Sequence, residues 1–206
     1  MSGGDATSGG DGASGGDAGP GLDAIAGDAC AAAEGVVFLP HLDGARIPVA
    51  APDATGVLVG VRRSTSRATV AAAALEGVAH AVRQLALAVA PDADELVLCG
   101  GAARSAGLRQ VMADVCDVPV LHRPADHAAV LGAATAATIA LGRTVQTPAA
   151  LDATLRPRPE RAEIHRRSAV VFDDLLPTMQ RLLTSLVEIR SISDRSSADP
   201  ADRPDA

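Results

Sequence analysis

The residues with the clearest chemical potential lie in one short stretch, LVLCGGAARSAGLRQVMADV, at positions 96–115. Apolar residues typical of a strand lead into Gly100 and Gly101, and an amphipathic helix pattern follows within a few residues. Because glycine has no side chain, backbone N–H groups in such a turn can approach phosphate oxygens, and the positive end of the next helix attracts the same anion. The stretch therefore predicts either a phosphate-binding turn or only a tight connection between a strand and a helix.

The other polar residues form no catalytic or metal-binding pattern. Glu76 and Gly77 lie within a long helix pattern, where a packing role is expected rather than catalysis. The five histidines are scattered without the spacing of metal ligands, and each is expected to be structural or at the surface: His41, His80, His122, His127 and His165. We therefore predict no metal site.

Composition excludes several kinds of partner. The 206-residue chain has a net charge of −7, which argues against nucleic acid or an anionic membrane as the main partner. No apolar run reaches the roughly 18 residues that a membrane span needs, and no charged segment precedes an apolar one as in a signal peptide. The three cysteines show neither a C-x-x-C motif nor paired spacing, which favours a reducing compartment. We expect a soluble, cytoplasmic protein.

Composition also divides the chain into four parts. Residues 1–34 contain a repeated SGGD motif and are expected to form a disordered tail with a short remnant helix at its end. Residues 35–145 are expected to form the folded lobe, and residues 146–190 a helical extension. Residues 191–206 are rich in Asp, Ser and Pro and predict a second disordered tail.

Short apolar strands alternate with long helix patterns in the folded part. The helix patterns cover residues 64–89, 106–117 and 125–142, and a fourth pattern over 159–190 predicts one or two helices interrupted at Pro177. Strands are predicted over residues 35–40, 57–62, 95–101 and 118–123. The alternation predicts an α/β fold with a largely parallel sheet, in which the strand at 95–101 is buried on both faces.

Several strings in this order resemble a known family. GVVFLPHLDGARIP, LEGVAH, GGAARSAGLRQ and AVLGAA are similar in order and spacing to LFLPYLSGERTP, LEGVAF, GGGARSPLWRQ and AALGAA. The latter strings are typical of the C-terminal domain of the FGGY carbohydrate kinases, and the resemblance is closest to the xylulose kinases within that family. It covers roughly residues 35–145, and RPERAEIHRRSAVVFDDLLP resembles the family's terminal helix.

This resemblance implies one lobe of an actin-like, ribonuclease-H-like ATPase, with a mostly parallel sheet flanked by helices and incomplete at its N-terminal edge. In such kinases ATP, with Mg²⁺ in the complete enzyme, lies in the cleft between two lobes. Ala102 stands where the family has a third glycine. The residues that the resemblance places at the nucleotide are Gly60, Gly100, Gly101, Ala102, Arg104, Ser105 and Gln110.

The resemblance also implies what this chain lacks. In the family the N-terminal lobe carries the acidic residues that act as base and hold the metal, and only 34 residues precede the resemblance here. We therefore assign no catalytic residue. One hypothesis is a nucleotide-binding lobe that phosphorylates a sugar, such as xylulose, only when assembled with a separate chain carrying the N-terminal lobe. The alternative is a non-catalytic remnant or interaction module that retains an actin-like lobe.

Overall fold

The computed structural model describes residues 31–48, 50–124, 128–144 and 151–197. The tails expected before residue 31 and after residue 197 lie outside the described residues, as does the expected start of a helix at residues 125–127. The elements in chain order are β1 (Val37–Leu39), β2 (Val57–Val59), α1 (Arg67–Val89), β3 (Leu96–Cys99), α2 (Ala106–Cys116), β4 (Val120–Arg123), α3 (Ala128–Ala140), β5 (Asp152–Leu155) and α4 (Pro159–Ser197).

The strands form two small sheets that are less parallel than expected. β1 pairs antiparallel with β2, whereas β3 pairs parallel with β4, and β4 pairs antiparallel with β5. The α/β class is confirmed, but two of these three pairings are antiparallel. β5 lies in the segment expected to be helical. Its sequence DATL alternates polar and apolar residues, as is typical of a strand, and it pairs with β4. The prediction that β3 is buried on both faces is wrong, because Val97 and Cys99 are exposed on one face.

Helix α1 packs closely on β1 and α2 through small residues. Its buried positions include Ala71, Ala73 and Ala79, so this part of the core is built from small side chains. A Cβ atom at Gly77 would lie 2.2 Å from the carbonyl oxygen of Phe38, so only glycine permits this approach of helix to strand. The predicted packing role of Gly77 is confirmed.

Helix α4 is continuous through Pro177 and runs to Ser197. The sequence pattern predicted one or two helices interrupted at Pro177, followed by a disordered tail from residue 191. Proline removes a backbone donor and weakens a helix locally, but Leu176 and Leu183 on either side of it are buried in the same apolar cluster as Phe172. Burial of both flanking turns holds the helix together across the proline.

A buried carboxylate anchors the start of α4. The side chain of Asp114 in α2 is fully buried, and its Oδ1 accepts a hydrogen bond from the backbone N–H of Arg158 at 2.8 Å. The Arg158 guanidinium donates from Nε and Nη2 to Oδ2 at 3.0 and 2.5 Å. Gln110 Nε2 donates to Oδ1 at 3.1 Å. Because each carboxylate oxygen has charged or polar donors, burial of Asp114 is compensated.

Two of the histidines join α1 to α4. His80 stacks on Phe172 with ring centroids 5.1 Å apart, and His165 meets His80 edge-on at 5.9 Å. The Nε2 atom of His80 lies 2.9 Å from Ser168 Oγ. The expected structural role of these two histidines is confirmed, although their separation in sequence gave no sign that they meet.

Helix α3 differs from the other helices because it is not covered. Most of its residues are small, yet none of those from Ala128 to Ala140 is buried. Val130, Leu131 and Ile139 are exposed apolar side chains on this helix.

No described helix is long and apolar enough to cross a membrane.

We expect Asp114→Asn to lower the free energy of unfolding by about 1–3 kcal/mol, because a neutral amide replaces the acceptor of three Arg158 bonds. Asp173→Asn is the matched control, since that carboxylate also binds an arginine, Arg83, but is 44% exposed. The control should cost less than about 1 kcal/mol. Urea unfolding followed by circular dichroism measures both changes, and equal losses would contradict a special role for Asp114.

The histidine contact predicts a loss of stability in acid. Burial, and then the neighbouring His165 and Arg83, lower the pKa of His80 to about 3, and burial also lowers the pKa of His165. Unfolded histidine takes up a proton below about pH 6.5 whereas folded His80 stays neutral, so the free energy of unfolding falls as the pH drops from about 6.5 towards 3.

The expected loss between pH 7 and pH 5 is about 1–2 kcal/mol, measured by urea unfolding at both values. His80→Gln keeps a side-chain nitrogen for Ser168 and removes the titration, so its loss between the same pH values should be smaller. An unchanged pH dependence in this variant would show that His80 is not the group responsible.

Candidate functional site

The candidate site is the turn that follows β3. Gly100 has φ +87°, a left-handed conformation that favours glycine. Gly101 has φ −60° and ψ −46°, which any residue adopts, and it leads into a short 3₁₀ turn, Ala102–Arg104. A Cβ atom at either glycine would meet no other atom within 4 Å. Backbone geometry therefore explains Gly100, but neither geometry nor internal packing requires glycine at Gly101.

The residues after the glycine pair order the start of α2. Ser105 is the N-cap of α2, and its Oγ accepts a hydrogen bond from the backbone N–H of Leu108 at 3.0 Å. Arg109 braces the 3₁₀ turn by donating to the carbonyl oxygen of Ala103. Ala102 and Arg104 are exposed beside the glycines. The turn thus places an open, glycine-lined backbone and an arginine next to the positive end of a capped helix.

Two residues expected at the nucleotide have structural contacts elsewhere. Gly60 follows β2 with φ +82°, and a Cβ atom there would lie 2.3 Å from the carbonyl oxygen of Gly35. Gln110 donates to Asp114 and, at 3.0 Å, to the carbonyl oxygen of Arg156. The structure gives Gly60 a packing role and Gln110 a role in holding the start of α4. The five residues Gly100, Gly101, Ala102, Arg104 and Ser105 remain together in the turn.

The role of Arg109 in bracing the turn was not predicted from the sequence. An arginine within a helix pattern gives no indication that its guanidinium contacts the preceding turn. Among the described residues, no group of three or more His, Cys, Asp and Glu side chains is placed to hold a metal ion. Cys99 and Cys116 are free thiols, and burial raises the pKa of Cys116 to about 11.

The chain is similar to known kinases in sequence. Residues 15–141 match the C-terminal domain of the FGGY family of carbohydrate kinases. A glycerol kinase from Alkalilimnicola ehrlichii is 39% identical over 142 residues, which cover 66% of this chain and 28% of that protein. A glycerol kinase from Herminiimonas arsenicoxydans is 39% identical over 111 residues, 52% of this chain and 22% of that protein. The chain therefore spans less than a third of the length of these relatives.

Solved structures show the same likeness. Xylulose kinase from Rhodospirillum rubrum is 27% identical with a TM-score of 0.66 and covers 79% of this chain, which in turn covers 34% of that chain. Gluconate kinase from Lactobacillus acidophilus is 22% identical with a TM-score of 0.69, over 80% of this chain and 35% of that one. These neighbours confirm the expected actin-like, ribonuclease-H-like fold. By sequence match and by fold, the chain belongs to the FGGY family of carbohydrate kinases and contains the region that matches the family's C-terminal domain.

Proposed function

We propose that this chain is the nucleotide-binding lobe of an FGGY-type carbohydrate kinase, and that the turn from Gly100 to Ser105 holds phosphates of ATP. The observation that carries the proposal is Gly101. Its backbone conformation is open to any residue and a Cβ atom there would meet nothing. The fold does not require a glycine here. A ligand that must approach the backbone closely, where a side chain would block it, accounts for the glycine.

The residues of the turn have separate roles in this proposal. The backbone N–H groups at Gly100 and Gly101 approach phosphate oxygens, and the N-terminus of α2, capped by Ser105, adds its partial positive charge. Arg104 contributes a full positive charge at the same turn. The methyl group of Ala102 leaves less room for a phosphate beside the backbone than a third glycine would leave. When bound, ATP with Mg²⁺ supplies the phosphoryl group.

We propose that the chain transfers no phosphoryl group alone. Transfer needs a base for the acceptor hydroxyl and charge compensation near the phosphates, and the resemblance places the acidic residues for both in an N-terminal lobe. We place that lobe in a separate chain. The uncovered apolar side chains of α3 support this assembly, because an exposed apolar surface on a lobe is typical of an interface.

The acceptor in the assembled enzyme is a small sugar or polyol. The motif strings favour xylulose, whereas the relatives in sequence are named glycerol kinases. Contacts that select between them belong to the N-terminal lobe in this proposal. A phosphorylation assay with each acceptor, after co-expression with the N-terminal portion of a related kinase, distinguishes the two.

Nucleotide binding by the chain itself is tested with Gly101→Leu. We expect Mg-ATP to raise the midpoint of thermal unfolding of the wild-type chain, and calorimetry to show at least about tenfold weaker binding in the variant. Its midpoint without nucleotide should match the wild type, since a Cβ atom at this position meets nothing within 4 Å.

The matched control is Gly132→Leu in α3, where a Cβ atom also meets nothing within 4 Å. This variant should bind Mg-ATP as the wild type does. Equal binding by both variants would place the nucleotide elsewhere. Wild-type protein that binds no Mg-ATP, alone or with the N-terminal lobe, would favour the alternative of a non-catalytic interaction module.

A further inference from the structure

Arg123 lies beside the glycine turn, on the strand next to it. It is the last residue of β4, and in the parallel pairing of β3 with β4 its partner is Cys99. Neighbouring strands are about 4.8 Å apart, and Cys99 directly precedes Gly100. The Arg123 side chain therefore starts one strand spacing away from the residue that leads into the turn.

Arg123 lies on the face of the sheet that is turned away from α2. Leu96 and Leu98 of β3 pack against the apolar cluster that contains residues of α1 and α2. Side chains alternate along a strand, so Cys99 and its partner Arg123 belong to the opposite face, where Cys99 is exposed. Helix α2 therefore packs on one side of the strand that ends in the turn, and Arg123 lies on the other side.

The guanidinium of Arg123 has a donor that the fold leaves unpaired. Its Nε atom is buried and has no hydrogen-bond acceptor. Arg83 and Arg109 also have a buried, unpaired Nε, but each donates from another nitrogen, to Asp173 and to the carbonyl oxygen of Ala103. The Arg123 side chain makes no hydrogen bond or ion pair with any described residue. A buried donor without an acceptor destabilises a fold, so internal contacts do not account for this arginine.

A phosphate group matches the donors and their position. A guanidinium donates in a fixed fork through Nε and a terminal nitrogen, and this fork fits two oxygens of one phosphate. The carboxyl ends of neighbouring parallel strands face one crevice, where α/β sheets bind their ligands. The glycine turn follows the carboxyl end of β3, and Arg123 is at the carboxyl end of β4. Both therefore face the same crevice.

Given the proposed function, on which this inference rests, we propose that Arg123 binds a phosphate group of the nucleotide from the side opposite to the N-terminus of α2. The turn and the helix end offer only partial positive charge, whereas Arg123 supplies a full charge. The nucleotide supplies the acceptor that Nε lacks in the chain alone. The resemblance did not place Arg123 among the nucleotide-binding residues.

Calorimetry with Mg-ATP and thermal unfolding of the full chain test this role with Arg123→Met. Methionine keeps a long apolar side chain and removes the charge and all the donors. We expect at least about tenfold weaker binding of Mg-ATP. Without nucleotide, the midpoint of thermal unfolding should equal or exceed that of the wild type, because an unpaired buried donor is removed. A residue that only supports the fold would instead lower this midpoint and leave binding unchanged.

Two further variants separate the shape of the guanidinium from its charge. Arg123→Lys keeps the charge but loses the fork, so its affinity for Mg-ATP should lie between those of the wild type and Arg123→Met. Arg190→Met removes an exposed arginine of α4 and should leave binding unchanged. Circular dichroism confirms that each variant folds.

The thiol of Cys99 gives an independent measurement at the same place. Cys99 is exposed beside Arg123, whereas Cys116 is partly buried. Bound Mg-ATP should slow alkylation of Cys99 by iodoacetamide, followed by mass spectrometry of the peptide that contains it. The Mg-ATP concentration that halves this rate should be at least about tenfold higher in Arg123→Met than in the wild type.

The proposal is overturned if Arg123→Met binds Mg-ATP as the wild type does, or if Arg190→Met weakens binding equally. Unchanged nucleotide affinity with weaker association to an N-terminal lobe would show that Arg123 pairs with a carboxylate of that lobe, and this also overturns it. Weak binding by Gly101→Leu with normal binding by Arg123→Met would remove only the role of Arg123. A wild-type chain that binds no Mg-ATP, alone or with the N-terminal lobe, would remove the proposed function as well.

Discussion

The buried carboxylate of Asp114 is the interaction on which the placement of the other parts depends. α2 has the glycine turn at its N-terminal end and Asp114 in its last turn, and Asp114 holds the segment that enters α4. One helix therefore fixes both the candidate nucleotide turn and the direction of the longest helix. A charge buried in this way is tolerated only while its partners stay in place, so the geometry of Arg158 and Gln110 is set by electrostatics rather than by apolar packing.

Local rules predicted much of the fold. The apolar periodicity located α1 and α2 to within a few residues of their ends, since that signal lies within the helices themselves. Long-range contacts could not be predicted in the same way. His80 and Ser168 are 88 positions apart, and the pairing of β5 with β4 joins residues 30 to 35 positions apart. Likewise, α4 continues through Pro177 because leucines on both sides of the proline are buried.

The same contrast between local signals and long-range contacts holds at the candidate site. Gly60 and Gly100 both have positive φ and both follow a strand, so they are equivalent in a sequence pattern. Only the positions of surrounding atoms separate them, because Gly60 is pressed against Gly35 while Gly100 faces open space. The resemblance to a family indicated the turn as a candidate site, and the hydrogen bonds of Gln110 to Asp114 and Arg156 give that residue a structural role.

The sheet that ends at the glycine turn has a consequence for handling the isolated lobe. Among the described strands, β4 is central and β3 lies at the edge of its sheet, with Val97 and Cys99 exposed on one face. The outward N–H and C=O groups of an edge strand are a template for any other strand that meets them. Until another strand covers that edge, the lobe presents a starting point for β-type aggregation directly beside its candidate site.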